Sequence, residues 1–521
     1  MVSNDRIPPQ LIESARSKKT QCLVHQFLKN PQRDVSHHQG HDDDGVDDPS
    51  CPQGLEHIAE PGGTKDPRLS IIESDSAEHS DAGQVDEKSW KTALTRSRTE
   101  LDLNGDQSHE DLHSRLLTKK QLSEMAWGVR ELSRRLGSVR LKFRAKNIFI
   151  LTKVYDQELI PKTREVTKWL LSKDRDVRYT VYLEDSLKEN KKFDVQGLLE
   201  ELGKDYVDAG ELDADTAPAA LRRRVRYWDE NMCRTRPHAF DFIIALGGDG
   251  TVLYASWLFQ RIVPPVLSFA LGSLGFLTKF DFNDYAEILG TAFNDGVTVS
   301  LRLRFEGTVM RSQRKKQRLL AAGDEVDEEE FQRSRDLIEE LIGEEKEDEH
   351  THRPDGTYEI LNEIVVDRGP NPTMSYTEIF GDDEHFTTVL ADGVCVSTPT
   401  GSTAYNLAAG GSLCHPENPV MLVTSICPHT LSFRPIILPD TIVLRIGAPY
   451  NARTSSWASF DGRERIELLP GDYVTISASR FPFASVTPPG RRSEDWVNSI
   501  SGKLGWNTRQ KQKNDGYKQW N

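Results

Sequence analysis

The sequence predicts an α/β domain built on a doubly wound parallel sheet, followed by an all-β domain. Three observations predict it. Short, continuous apolar runs alternate with helical periodicity between Ile148 and Leu277. Two of these runs end in glycine turns, Gly247-Gly-Asp-Gly250 and Gly272-Ser-Leu-Gly275. Beyond Val299 the helical periodicity stops, and β-rich runs follow one another between turn residues. Runs that are apolar at every position suit strands covered on both faces, and helices between them supply the crossovers of a parallel sheet.

In chain order, residues 1–110 are polar and poor in large apolar side chains, which predicts a disordered region. His37-His-Gln-Gly-His-Asp-Asp-Asp44 within it reads as a flexible polar tract rather than a metal site. Thr95-Arg-Ser-Arg-Thr-Glu-Leu101 sets hydroxyls beside arginines, the pattern of a basophilic kinase target or of an ordinary linker. Helical spacing runs from Leu116 to Leu136, and the α/β domain is expected over 111–298. Ile148–Val154 and Val177–Leu183 read as strands, with helix around Arg164–Leu171 and a polar stretch after them. Phe242–Leu246 is a buried strand that stops at the first glycine turn. Val266–Leu271 is another that runs into the second. Both turns lie at strand carboxyl ends, where such sheets bind ligands.

The β-rich domain is expected over 299–490. Its strands are Ser300–Val309, Tyr358–Val366, Ser375–Phe380, Phe386–Leu390, Val394–Val396, Val420–Ile426, Ile436–Ile446 and Val474–Ser479. A charged, disordered insertion is expected at about 311–355. It opens on the basic run Arg314-Lys-Lys-Gln-Arg318, read as loop in preference to a nuclear signal. Residues 491–521 form a polar tail with three tryptophans.

Bulk properties exclude several classes. The net charge is −15, but residues 324–349 carry 14 acidic and 3 basic side chains, so the remainder is near −4 and nucleic acid is not an expected partner. Six scattered cysteines without CxxC spacing suit reduced thiols, not a disulfide framework or zinc site. No run approaches the ~18 apolar residues of a membrane span, and no apolar signal region opens the chain. A cytoplasmic protein without membrane contact is expected.

The chemistry concentrates in four clusters. Backbone N–H groups of the first glycine turn, backed by a helix N-terminus, suit phosphate. Asp249 is the residue that a phosphate cradle does not need: it holds a metal or takes a proton from a hydroxyl. Asn362 and Glu363 are adjacent polar residues at the start of an apolar run. Ala391–Gly411 is dense in hydroxyls and glycines. Ser402 or Thr403 there would cap a helix, with Tyr405 in its first turn able to stack on a flat ring. Ser459-Phe-Asp-Gly-Arg463 reads first as an Asp-Gly hairpin turn. There is no GxxxxGK[ST] and no HRD…DFG set, which excludes P-loop NTPases and protein kinases.

Together GGDGT at 247–251, LGSLGFL at 271–277, LNE at 361–363 and DGVCVSTPTGSTAYNLAAGG at 392–411 resemble the NAD kinase family. Cys427-Pro-His-Thr-Leu-Ser-Phe-Arg-Pro435 and Ser459–Arg463 are similar to its animal and fungal members. The resemblance spans roughly 147–490 and implies a Rossmann- or phosphofructokinase-like α/β domain followed by a β domain. It implies transfer of the ATP γ-phosphate to the 2′-hydroxyl of the adenosine ribose of NAD, and leaves the choice between NAD and NADH open. Asp249 matches the catalytic aspartate. Gly247, Gly248, Gly250 and Thr251 match the phosphate turn, and Mg²⁺ arrives with ATP rather than in a fixed protein site. Asn362 and Glu363 match the pair holding the adenosine part of NAD, Phe276 an aromatic near adenine, and Asp392 a contact on the nicotinamide side. Asp249, Gly250, Thr403, Ala404, Tyr405, Asn406 and Ala408 match further residues around NAD. Ala391 departs from the glycine of many members. A homo-oligomer, tetramer or hexamer, is implied, since family sites are completed by a neighbouring subunit. The competing readings are a diacylglycerol or sphingosine kinase, which shares GGDGT but lacks STPTGSTAY, and a non-catalytic NAD(H)-binding regulator, which would be expected to lose Asp249.

Overall fold

The computed structural model describes residues 113–505, except 143–144, 154, 273–274, 314–334, 343–350 and 489–491. The expected disordered region 1–110, with its His37–Asp44 and Thr95–Leu101 segments, and the run Arg314–Arg318 lie outside the described residues.

The first layer follows the chain through α1 (Lys119–Leu136), β1 (Asn147–Thr152), α2 (Leu159–Leu171), β2 (Thr180–Glu184), α3 (Val195–Asp208), α4 (Ala217–Arg224), β3 (Val225–Trp228) and α5 (Glu230–Thr235). It continues with β4 (Phe242–Gly247), α6 (Asp249–Leu258), β5 (Val266–Ala270), β6 (Phe280–Asp281), α7 (Tyr285–Asn294) and β7 (Thr298–Arg302). Strand order is β3-β2-β1-β4-β5, all parallel, with β6 also on β5. The winding reverses between β1 and β4, so the turn after β4 sits at the switch point of the sheet. Alternate residues of β1 enter separate cores: Ile148 and Ile150 pack with Ile244 and Leu246, Phe149 and Leu151 with Ile243 and Ala245. Both faces are therefore covered, which is why these strands read as unbroken apolar runs. The stretch before Phe242, expected only to be polar, holds α3, β3 and α5. Leu198, Leu199, Leu202 and Tyr206 on α3 are buried at helical spacing.

The second part comprises β8 (Phe305–Ser312), α8 (Leu337–Ile342), β9 (His352–Ile360), β10 (Glu363–Asp367), β11 (Ser375–Gly381), β12 (Glu384–Ala391) and β13 (Gly393–Ser397). Then come α9 (Tyr405–Ala408), β14 (Val420–Ile426), β15 (Ile436–Pro439), β16 (Leu444–Gly447), β17 (Ser456–Phe460), β18 (Glu464–Leu468), β19 (Tyr473–Ala478), β20 (Phe483–Thr487) and α10 (Arg492–Leu504). Two six-stranded sheets result, β15-β14-β13-β10-β17-β18 and β12-β11-β16-β19-β8-β9. Their pairings are antiparallel. Ile364, Val366, Val394 and Phe460 of one sheet pack with Phe305, Val309, Ile446 and Val474 of the other.

Three expected strands are each two strands in different sheets. Ser300–Val309 divides into β7 and β8, Tyr358–Val366 into β9 and β10, and Ile436–Ile446 into β15 and β16. The first layer is also not wholly parallel. β20 returns from the β region to pair parallel with β5, and β7 lies antiparallel on β20.

The insertion is a further correction. Part of the segment expected to be a disordered loop at about 311–355 is docked. Leu337 and Leu341 of α8 are buried against Met310, Phe380 and Tyr473, and Arg335 pairs with the Glu340 carboxylate, Nε to Oε1, at 2.6 Å. Leu337-Ile338 and Leu341-Ile342 recur at helical spacing inside the acidic run, so one apolar face outweighs the charge.

Candidate functional site

Gly247 ends β4, and a Cβ there would overlap the Thr251 hydroxyl. Glycine therefore lets Thr251, which is buried, fold back beneath the turn. Gly248 and Gly250 are exposed, with open space where a Cβ would stand. Their backbone is presented outward, at the N-terminus of α6.

Asp249 opens α6 but does not cap it. Its carboxylate crosses to the second glycine turn. Oδ2 accepts from the Phe276 N–H at 2.9 Å, and Oδ1 from the N–H groups of Leu277 and Thr278 at 3.0 and 3.1 Å. The Thr278 hydroxyl adds a longer bond at 3.3 Å. A Cβ on Gly275 would overlap both Asp249 Oδ1 and Thr278 Oγ1. The two glycine turns thus form one device: the second supplies the donors that orient the carboxylate of the first.

The far end of α6 is held by Arg304, which sequence reasoning did not single out. It is fully buried in the link between β7 and β8. Its guanidinium donates to the carbonyls of Ser256, Phe259, Gln260, Arg261 and Phe481 at 2.6–3.3 Å. A cation there satisfies the carbonyls at the helix C-terminus, and burial pushes it down to about 10.

Asn362 lies between β9 and β10, where the chain changes sheets, and Glu363 opens β10. The Asp461 carboxylate holds that corner. It accepts from the N–H groups of Leu361, Asn362 and Glu363 at 2.9, 2.8 and 3.1 Å. Asp461 itself takes a left-handed φ of 48° in the β17–β18 turn. The expected Asp-Gly hairpin is there, and it does more than turn. Two residues on, Arg463 Nη2 reaches the Gly250 carbonyl at 3.5 Å, and its guanidinium lies 4.4 Å from the Tyr254 ring centroid. One hairpin therefore touches both LNE and GGDGT. No local sequence signal marks that link, because β17 meets β10 only through long-range pairing.

The hydroxyl-rich loop closes on the same corner. Thr398 donates from N to the Asn362 carbonyl at 2.9 Å and from Oγ1 to the Leu361 carbonyl at 2.6 Å. A Cβ on Gly401 would collide with the Asn362 carbonyl. Asn362 Oδ1, Glu363 Oε2 and Thr400 Oγ1 are buried there without a protein partner. Burial, reinforced by the Asp461 charge, pushes Glu363 up to about 8.

Ser402 is not the helix cap expected of it. It is fully buried, its hydroxyl donating to the Cys414 carbonyl at 3.1 Å and accepting from the Cys414 N–H at 3.0 Å. The expected helix is a 3₁₀ turn over Thr400–Thr403 and the single turn α9. Asn406 is buried rather than presented. Its amide donates to the Ser402 and Ser412 carbonyls at 3.3 and 3.1 Å and accepts from the Thr424 hydroxyl at 2.8 Å. Those bonds hold the loop's ends together. Thr403 and Ala404 are half-buried, and Tyr405 and Ala408 are exposed.

Asp392 stands apart from the LNE corner. Glu363 faces Ser397 at one end of the β10–β13 ladder, and Asp367 faces Gly393 at the other. Asp392 follows at that far end, about 20 Å from Thr398 at 3.3 Å per residue. It pairs with Arg368 at 2.8 Å. Among the described residues no group of three or more His, Cys, Asp or Glu is placed to hold a metal. Among the described residues no helix is long and apolar enough to cross a membrane.

The ATP-NAD kinase N-terminal domain matches residues 148–297, and the ATP-NAD kinase C-terminal domain residues 361–487. The NAD(+) kinase of Saccharomyces cerevisiae is 40% identical over 396 residues, 76% of this chain and 66% of that protein. The ATP-NADH kinase of the same yeast is 39% identical over 391 residues, 75% of this chain and 70% of that protein. An uncharacterized kinase of Schizosaccharomyces pombe is 34% identical over 501 residues, 91% and 87% of the two chains. The crystal structure of yeast NADH kinase complexed with NADH superposes with a TM-score of 0.51 at 26% identity. It covers 71% of this chain and 91% of that one.

Proposed function

The chain belongs to the ATP-NAD kinase family, and from that membership we propose that it transfers the ATP γ-phosphate to the 2′-hydroxyl of the adenosine ribose of NAD. One observation carries the reading. The oriented carboxylate of Asp249 and the unpartnered polar atoms of Asn362, Glu363 and Thr400 are tied together by a single hairpin, through Asp461 and Arg463. A buried polar atom without a partner costs about 1–3 kcal/mol, a cost that a bound nucleoside relieves.

In this reading Asp249 orients the ribose hydroxyl and accepts its proton. Gly247, Gly248, Gly250 and Thr251 hold the donor phosphates at the α6 N-terminus. Phosphoryl transfer asks the protein chiefly for position and charge neutralisation. Asn362, Glu363 and Phe276 take the adenosine. With Glu363 pushed up to about 8, its carboxyl keeps a proton at neutral pH and donates a hydrogen bond. The dinucleotide then runs along the β10–β13 ladder past Thr403, Ala404, Tyr405 and Ala408, with its nicotinamide half toward Asp392. Asn406 shapes that loop from inside. Mg²⁺ would arrive with ATP, since this metal ordinarily sits on substrate phosphates, whose charge it neutralises.

We propose a homo-oligomer in the cytoplasm. Leu431 and Ile437, on and beside the edge strand β15, are large apolar side chains left exposed, and sedimentation of the purified chain reads the assembly. The test of the reaction is the purified chain with ATP, Mg²⁺ and NAD, read by an NADP-specific dehydrogenase. NADP is expected. Its absence from a folded sample, or phosphorylation of diacylglycerol instead, would end the proposal.

A further inference from the structure

The C-terminal helix α10 lies beyond residue 487, where the family's matched region ends. It was expected to be part of a polar tail, yet one of its faces is specific. Trp496, Ile500 and Lys503 recur at i, i+4 and i+7, so they share a stripe about 10 Å long. The Trp496 ring packs edge-on against His415, centroids 5.2 Å apart. Ile500 is buried, at 3% exposure. Lys503 Nζ lies 5.9 Å from the centroid of Phe276. Gly505, at φ 58°, ends the helix in the left-handed conformation that suits glycine.

The two ends of that stripe rest on the two site loops. His415 follows Cys414, which the Ser402 hydroxyl clasps on both sides, so Trp496 leans on the end of the hydroxyl-rich loop. Phe276 donates its N–H to the Asp249 carboxylate, so Lys503 stands over the residue that orients the candidate base. Val497 and Leu504 are exposed on the rest of the helix, so the contact face is directional.

We propose that α10 is a strap joining the two loops, and that Lys503 supplies a cation to the phosphates of the dinucleotide acceptor. This rests on the kinase reading above. A dinucleotide carries its negative charge on the pyrophosphate, and an ammonium at the rim attracts it with a strength that salt screens.

The test uses the full chain. Lys503→Ala should raise KM for NAD about fivefold, the size of one exposed charge interaction, with kcat within about twofold. The difference should shrink in about 0.5 M salt. Lys503→Arg should restore KM, and Trp496→Ala, which frees the other end of the strap, should raise it in the same direction. An unchanged KM in both variants, with only the Tm lowered, would make α10 a packing element and overturn the proposal. A fall in KM would make it an obstruction and overturn it equally. Failure of the unaltered chain to make NADP is a separate result, and it would strike the kinase reading instead.

Discussion

At Asp249 both carboxylate oxygens accept hydrogen bonds from the backbone of residues 276–278, whereas at Asn362 and Glu363 the side-chain oxygens Oδ1 and Oε2 are buried without one. The backbone around the second pair is nonetheless tightly held, by Asp461 on one side and Thr398 on the other. In the proposed reading the contrast separates two tasks. A group that meets the reacting hydroxyl gains from being oriented before substrate arrives. A group that recognises a nucleoside gains from a partner that only the ligand supplies, because an analogue lacking that partner leaves the buried atom unpaired.

The sharpest way to break this contrast is Asp249→Asn. An amide accepts no proton and turns an NH₂ toward one of the donors at 276–278, so kcat should fall by about 10² or more. Steady-state NADP formation reads it, and near-normal turnover would remove Asp249 from the chemistry. Gly275→Ala probes the same wall while leaving Asp249 itself unsubstituted. The new Cβ displaces Asp249, and a shift of about 1 Å is expected to cost up to about 10² in kcat. Unaltered kinetics would show that the second turn does not orient the first.

The smallest effect is on the other wall, and it is a pH effect. Glu363 is raised by burial to about 8 from an ordinary value of 4.5. The folded protein therefore holds this proton more tightly than the unfolded chain. The resulting stability is full below about 4.5, declines as pH rises, and is gone above about 8. Glu363→Gln should remove this component, so its Tm should fall less steeply than wild type between pH 5 and 8. KM for NAD should rise above about pH 8 in the wild type and stay flat in the variant. Parallel Tm curves, and parallel KM curves, would mean that Glu363 does not titrate there.

Much of the first layer was legible because its signals are local. Phe242–Leu246 is a continuous apolar run and Val266–Leu271 is broken only by Ser268; both end at glycines, and both are strands. What failed to show was where the chain changes sheets. Asn362 and Glu363 stand out as polar, but no glycine or proline marks a break between Tyr358 and Val366, and β9 and β10 part there because Asp461, about a hundred residues later, captures three N–H groups. Leu303-Arg304 hides a similar corner, made by the demand of the α6 C-terminus for a buried cation. Asp249, Asn362 and Glu363 were legible as residue types out of place in apolar surroundings. The clasping roles of Ser402, Asn406 and Asp461 were not, because a buried hydroxyl or carboxylate reads in sequence like any capping or turn residue.

The division between an oriented wall and a recognising wall is tested most directly by calorimetric titration of NAD into Asp249→Asn and Asn362→Ala protein. Asp249→Asn should bind NAD within about threefold of wild type, while Asn362→Ala should bind about tenfold more weakly, the size of one lost buried hydrogen bond. If Asp249→Asn lost NAD binding while Asn362→Ala kept it, recognition would lie on the Asp249 wall and the assignment of the two walls would be wrong.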